Sequence, residues 1–516
     1  MEDIKECDFT EMKHVDYTNR NGLGRSSLPA LLLGILFLGM FAGCAVGPRY
    51  RTPEMKLPDA WQQKMTEGIL EEEPNIQTWW TTLQDPTLNS LIKRAAAGNL
   101  SLQEAFARIN EAHANLGIAR SGRFPAVDGT GYFERSRNSE DFGPGSADGK
   151  LTDNYYGTAL DTTWEVDLWG RITRSIQSAD ASLQAMVDNY RDVLVVLYAE
   201  IAYNYIDVRT LQERIKYAEG NAGTQSKTLQ LTQDRFKAEI TGELDVRQAE
   251  LNLARTESAI PTLKTDLAQA INRLGVLLGE YPEALHKELA QAKPMPRVHE
   301  KISAGLPAEL LRQRPDIRRA ERQLAAQTAR IGVATADLLP QFKLDGAIGF
   351  QGTKDFIDHS RMTWALKPNF RWKLFEGGAV TGQIKVEQAR TEEALANYTR
   401  TVLAGLEDVE DSMVAYIQER ERRDILARSV VAARRSVQLV ETLYKTGLTD
   451  FQNVQDMQRT LFLQQDDYAE SQGQVTKDLV RIYKALGGGW SPDEPTYKKG
   501  VLDKVKGKLK LPTGAL

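Results

Sequence analysis

The 516 residues carry 65 Lys and Arg against 70 Asp and Glu, a net charge of −5, with a mean hydropathy of −0.42. That balance excludes the basic footprint of a nucleic-acid binder and offers no charge attraction to an anionic membrane surface. Two cysteines, Cys7 and Cys44, exclude a disulfide framework, and five histidines without ligand spacing give no metal centre.

In chain order, Arg20 and Arg25 precede an apolar run from Leu28 to Phe41 that ends in Ala42-Gly43-Cys44. A basic start, a short apolar stretch and small residues before a cut make residues 1–43 a secretory signal peptide. The run is too short to span a bilayer comfortably as a helix. Its ending resembles a bacterial lipobox, although Phe41 stands where leucine is usual. Cys44 is then the mature first residue and carries a covalent lipid, palmitate included; no other cofactor is expected. Ala45 to Pro58 reads as extended, and residues 44–85 form a lipidated N-terminal segment.

Trp79-Trp80 and Asp85-Pro86 open the first helical region. Leu88, Leu91, Ile92 and Ala95 recur at helical spacing, with Gly98-Asn99 as the stop. Ser101 and Glu104 form a capping box for the next helix. Val127 to Arg135 and Tyr155 to Leu168 then alternate as a hairpin around a Gly-, Ser- and Asp-rich loop at 138–150. Phe342 to Phe350 and Trp364 to Phe375 form a second hairpin around residues 352–360. Strands of this length with aromatics near their ends suit a membrane barrel wall.

Arg171 to Glu219 holds neither Gly nor Pro, and helical spacing persists to about Phe236. Gln383 to Thr446 holds one glycine, Gly405, and no proline. Runs of some 65 residues span about 100 Å as helices, far above the usual length. Each turns back, at Ala238 to Gly242 and at Gly447 to Thr449, into a return helix ending at Gly279 or Gly487; Pro261 is expected to kink the first of them.

The halves repeat. Leu116-Gly117-Ile118-Ala119 returns as Ile331-Gly332-Val333-Ala334, Leu168-Trp169 as Leu374-Phe375, Arg235-Phe236-Lys237-Ala238 as Leu443-Tyr444-Lys445-Thr446, and Leu278-Gly279 as Leu486-Gly487, at offsets of 206 to 215 positions. The domain reading is therefore a first repeat at 86–280, a linker at 281–306, a second repeat at 307–490 and a tail at 491–516. Four strands cannot close a barrel in lipid, so chains must pool them, and three chains supply twelve.

Cys44-Ala45-Val46-Gly47-Pro48, the Leu306-to-Ile317 segment with its Arg314-Pro315-Asp316-Ile317 core, and Tyr483 to Trp490 resemble the TolC-like outer-membrane efflux factors, in their lipoprotein branch, called NodT- or OprM-like. The resemblance covers about residues 44–490. It implies an α+β membrane protein: a homotrimer with a twelve-stranded outer-membrane β-barrel, four strands per chain, continuous with a long periplasmic helical barrel. It further implies an exit duct for small molecules and drugs in the outer membrane of a Gram-negative bacterium. The partners implied are a periplasmic adaptor protein and an inner-membrane RND-type transporter, with no enzymatic activity.

The family's periplasmic gate lies just past the helical turns. On this chain its positions are Asp245, with Asn453 at the repeat-related place, and Phe451, Gln452, Asp456 and Arg459. Asp456 and Arg459 match the family pattern, while Gln452 stands where leucine is usual. The plain alternative is that Asp245 and Asp456 only solvate helix starts. Two other functions fit parts of the chain: a duct for type I protein secretion, which usually lacks the lipobox, and a lipid-anchored coiled-coil spacer, which has no use for aromatic-rimmed strands.

Overall fold

The computed structural model describes residues 45–58, 61, 69–70, 76–137, 139, 151–296, 302–303, 313–352 and 362–491. The signal peptide, Cys44, most of the 138–150 loop, the 353–361 loop, residues 306–312 of the signature segment and the tail beyond 491 lie outside them.

After a short strand β1 (Ile69–Leu70) and a 3-10 turn at Trp79–Leu83 come α1 (Pro86–Gly98), α2 (Leu100–Ser121), β2 (Ala126–Arg137), β3 (Thr152–Val166), α3 (Arg171–Lys237) and α4 (Glu243–Leu277). The second half has the short α5 (His286–Leu289), β4 (Ile302–Ser303), α6 (Pro315–Ala336), β5 (Gln341–Gly352), β6 (Met362–Arg371), α7 (Ala379–Lys445) and α8 (Phe451–Ala485). Helices α2 and α6 each have 22 residues, α3 and α7 each 67, and α4 and α8 each 35. Among the described residues no helix is long and apolar enough to cross a membrane.

Local chemistry sets these boundaries. The Asp85 carboxylate accepts from the Thr87 and Leu88 amides at 2.8 and 3.1 Å, with Pro86 at the first helical position of α1. The expected Ser101–Glu104 capping box is not the cap of α2. Asn99 caps it instead, accepting from the Leu102 amide at 3.0 Å while its own amide donates to the Leu277 carbonyl at 2.8 Å. Buried Asn99 thus satisfies two helix ends at once, which a surface serine could not. Helix α4 runs unbroken through Pro261. The strands also extend past the expected limits at their loop ends, whereas β3 stops at Val166 and β6 at Arg371, short of the expected Leu168 and Phe375.

The core lies mid-length, where α1 and the ends of α4 and α8 pack on α3. Trp79 stacks on Tyr483 with centroids 5.6 Å apart, and Trp80 meets Tyr198 edge-on at 4.9 Å. Beside it Arg314 ties three elements. Its guanidinium donates to both Asp316 oxygens at 3.1 and 2.7 Å, to Asp408 of α7 at 3.2 Å and to the Ala485 carbonyl ending α8 at 2.8 Å. Burial disfavours its charge, yet Asp316 and Asp408 outweigh that and hold its pKa above the usual arginine value. Gly487 adopts a φ of +76°, and a Cβ there would sit 2.9 Å from Arg314 Cα, so only glycine fits. Trp490 donates to the Gln313 carbonyl at 3.0 Å and lies under the guanidinium groups of Arg191 and Arg318. The two signature segments therefore meet in one knot.

Away from the core a polar seam laces α3 to α8. Asp207 pairs with Lys477, Arg214 holds Asp466 through two bonds of 2.7 and 2.8 Å, Asn221 donates to Gln465 at 2.6 Å, and Gln458 donates to Thr228 at 2.9 Å. The leader from Ala45 lies along the upper end of α3. The Val46 amide donates to the Trp169 carbonyl at 3.0 Å, and buried Arg174 donates to the Val46 and Gly47 carbonyls at 3.0 and 2.9 Å. Further along, the Tyr50 hydroxyl donates to Glu321 at 3.0 Å; burial and then Glu321 push its pKa up to about 12.

Candidate functional site: a two-faced sheet and the paired hairpin tips

The four-stranded antiparallel sheet runs β2-β3-β5-β6, and its register sorts side chains onto two unlike faces. One face carries the rows Val127–Thr162–Gly346–Leu366, Gly129–Leu160–Ile348–Trp364 and Val166–Phe342–Phe370. Val127, Leu160, Ile348, Trp364, Leu366 and Phe370 are all exposed there. The other face carries Ala126–Thr163–Asp345–Lys367, Asp128–Asp161–Ala347–Ala365 and Glu165–Lys343–Asn369. An exposed face this apolar, backed by one this polar, suits lipid on one side and water on the other. At the helix end of the sheet three indoles brace the strand bases: Trp164 donates to the Arg123 carbonyl at 3.1 Å, Trp169 to Pro340 at 2.8 Å and Trp372 to Leu338 at 3.0 Å.

At the opposite end of the long helices the two hairpin turns share one geometry. The Ile240 amide donates to the Arg235 carbonyl and the Leu448 amide to the Leu443 carbonyl, both at 2.9 Å. Each closes over a residue with positive φ, Glu239 at 57° and Gly447 at 73°. Ile240 and Leu448 point outward, 62% and 74% exposed.

The expected gate residues divide between two places. Asp245, in the first turn of α4, accepts from the Thr241 hydroxyl beside it and from the Tyr444 hydroxyl at 3.5 Å across the hairpins. Phe451 is buried edge-on against Tyr444 at 5.4 Å, in a small apolar cluster with Ala249, Val440 and Val454. Gln452 is exposed, and so is Asn453, which donates to Thr449 at 2.9 Å. Asp456 pairs with Arg459 at 3.2 Å on the surface of α8. Asp245 thus bonds across the hairpins as part of a latch, whereas Asp456 pairs along the surface of its own helix.

Two residues of that latch were not singled out from the sequence. Arg235 lays its guanidinium over the Tyr444 ring at 4.7 Å and donates to the Lys445 carbonyl at 3.2 Å, joining the end of α3 to the end of α7. The sequence carries no signal for this: Phe236 and Tyr444 are repeat-related, and only the fold leaves Phe236 exposed and Tyr444 buried. Among the described residues no group of acids, histidines or cysteines could hold a metal.

The profile of the family described as outer membrane efflux protein matches residues 91–280 and 306–488. The chain belongs to this family. Nodulation protein T of Rhizobium leguminosarum bv. viciae is 30% identical over 88% of this chain and 92% of its own length. The solvent efflux pump outer membrane protein SrpC of Pseudomonas putida is 29% identical over 90% of this chain and 98% of its own. The solved outer-membrane channel OprN aligns with a TM-score of 0.82 at 34% identity, covering 87% of this chain and all of that one. The open-state MtrE channel of Neisseria gonorrhoeae gives 0.76 at 25%, covering 88% and 100%. As a member of this family the chain is an outer-membrane efflux channel. The family is one of transport, and the helices beyond the sheet reach into the periplasm.

Proposed function

We propose that the chain is the exit duct of a tripartite efflux pump, built as a homotrimer from a duplicated half, with the domain limits read above. The observation that carries this reading is the apolar sheet face joined, in one chain, to polar helices of 67 residues. Strands β2 and β6 have free edges in a single chain, and open edges are not tolerated in lipid. Three chains joined edge to edge remove them and enclose a twelve-stranded bore lined by the polar face. Purified protein in detergent is expected to have a native mass three times that of the chain and to form ion-conducting pores in planar bilayers. A stable monomer with its strand signal intact would sink the reading.

The exposed Ile240 and Leu448 at matching places on the two tips suit docking of a periplasmic adaptor, which hands on cargo from an RND-type inner-membrane transporter. Small molecules are the cargo, since Cys44 speaks against the protein-secretion branch of the family. Cys44 itself is the lipid-bearing residue. Ala45, the next residue, packs on Gly170 at the junction of sheet and helix, so a lipid on Cys44 would enter the same leaflet as the barrel base. Two or more acyl chains hold a protein firmly. Cys44→Ser is expected to abolish lipid incorporation, read by mass spectrometry of the mature chain, while the strands still insert; an unmodified wild-type Cys44 would disprove the assignment.

At the other end Asp456 forms an acidic ring from three chains, each carboxylate tempered by its own Arg459. Charge rings of this kind set ion preference. Asp456→Ala is expected to lower cation selectivity several-fold in bilayer recordings, by removal of interactions worth about 1 kcal/mol each in water. Unchanged selectivity in an assembled trimer would leave Asp456 a helix-surface residue only.

A further inference from the structure

Across its middle the polar sheet face carries small side chains, Ala159, Ala347, Gly349 and Ala365. Tyr132 is the large exception on β2, 52% exposed. Its cross-strand partner on β3 is Gly157, which pairs in turn with Gln351. Gly157 has no side chain, and the Tyr132 ring occupies the space where one would be. A Cβ built on Gly157 would lie 2.6 Å from Tyr132 Cζ and 2.9 Å from its hydroxyl oxygen. Such an approach is far inside van der Waals contact, so the ring lies flat over the strand and not upright from it. A glycine in a strand interior costs stability, and it marks a close approach by another group.

We infer that Gly157 is the seat that keeps Tyr132 flat on the wall of the barrel, so that this pair sets the width of the outer bore and the largest cargo it passes. The inference rests on the reading that the polar face lines the bore. Any side chain at 157 displaces the end of a flexible tyrosine, which is cheap for the fold. The neighbouring strand closes the path into the wall, so the ring swings toward the axis. In a trimer three rings move together at one level, within the β2–β3 ladder on its loop side.

Gly157→Ala is the mildest variant that fills the seat. In planar bilayers the tips are loosened by Arg235→Ala in parent and variants alike, so that the outer bore limits the current. The single-channel conductance of Gly157→Ala is then expected to fall roughly twofold, because three rings enter a bore only twelve strands around. Cells carrying it are expected to lose export of bulky cargo before that of small cargo. Gly157→Ala combined with Tyr132→Ala is expected to restore conductance to at least the parent value, and Tyr132→Ala alone to match or exceed it. Unchanged conductance in assembled Gly157→Ala, or a loss that Tyr132→Ala fails to rescue, overturns the inference. Labelling separates it from the reading beneath: a charged maleimide should modify Tyr132→Cys and spare Phe133→Cys, the adjacent residue on the apolar face. The reverse pattern overturns the pore-face reading, and this inference with it.

Discussion

Arg314→Ala is expected to remove most of the assembled protein from the outer membrane and to lower sharply the melting temperature of what remains. The side chain spends its donors on Asp316, Asp408 and the last carbonyl of α8. Truncation leaves the Asp316 and Asp408 carboxylates without their cation and the Ala485 carbonyl without a donor. A fully buried pair broken from one side costs about 3–5 kcal/mol. With Asp316 partly and Asp408 half exposed, the lost charged hydrogen bonds are expected to cost about 2–3 kcal/mol. That is still a large part of the stability of any domain, and a trimer would suffer it three times. Arg314→Lys should fall between, since a lysine cannot make the forked bonds to Asp316 and still reach α8. The partly exposed pairs of Arg94 with Glu280 and Glu288, which end no helix and meet no backbone carbonyl among the described residues, are the control: Arg94→Ala should cost about 1 kcal/mol. Calorimetry and the yield of detergent-extracted trimer read both. Parent-like yield and melting in Arg314→Ala would show that the knot is not what holds the signature segments together.

At the far end, Arg235→Ala is expected to raise the resting conductance of the closed duct. The residue contributes a cation–π contact of about 0.5–2 kcal/mol and a hydrogen bond to Lys445 of about 1 kcal/mol. Losing about 2 kcal/mol per chain shifts a two-state latch by more than tenfold. Tyr444→Ala should do more, because it also opens a cavity beside Phe451, at about 3–5 kcal/mol for a large aromatic. Tyr444→Phe is the discriminating variant. It keeps the ring under Arg235 and loses only the 3.5 Å bond to Asp245, so its conductance should stay near the parent's. Bilayer recordings without adaptor decide the matter; equal resting conductance in Tyr444→Ala and parent would mean that the two hairpins are not held shut here.

Much of the helical part is legible in the chain because it depends on local facts. The absence of proline, with only Gly220 and Gly223 in α3 and Gly382 and Gly405 in α7, allows 67-residue helices, and Asp85-Pro86 marks a helix start through its own side chain. The hairpins are legible because alternation is a period of two, and the register confirms which residues share a face. What failed depends on distant residues. Ser101 and Glu104 have the right spacing for a cap, but Leu277, brought in by the return helix, makes Asn99 the better one. The latch failed similarly: Arg235 and Tyr444 are 209 positions apart, and only the packing of α3 against the second hairpin makes them neighbours. Asp245 and Asp456 looked alike as acids near helix starts, yet one bonds across hairpins and the other pairs along its own helix surface.

The knot at Arg314 has a mechanical meaning. It grips α7 at Asp408, and 37 residues of unbroken helix separate that point from Lys445 at the tip, about 55 Å of stiff rod. With the knot as fulcrum, a tilt of about 10° sweeps the tip through roughly 10 Å, the width of a helix with its side chains. Such a lever turns a small torque on the exposed turns into a large change of aperture, with little repacking at the pivot. It works only if the arm does not flex, which gives the scarcity of breakers between Gly405 and Gly447 a purpose beyond length.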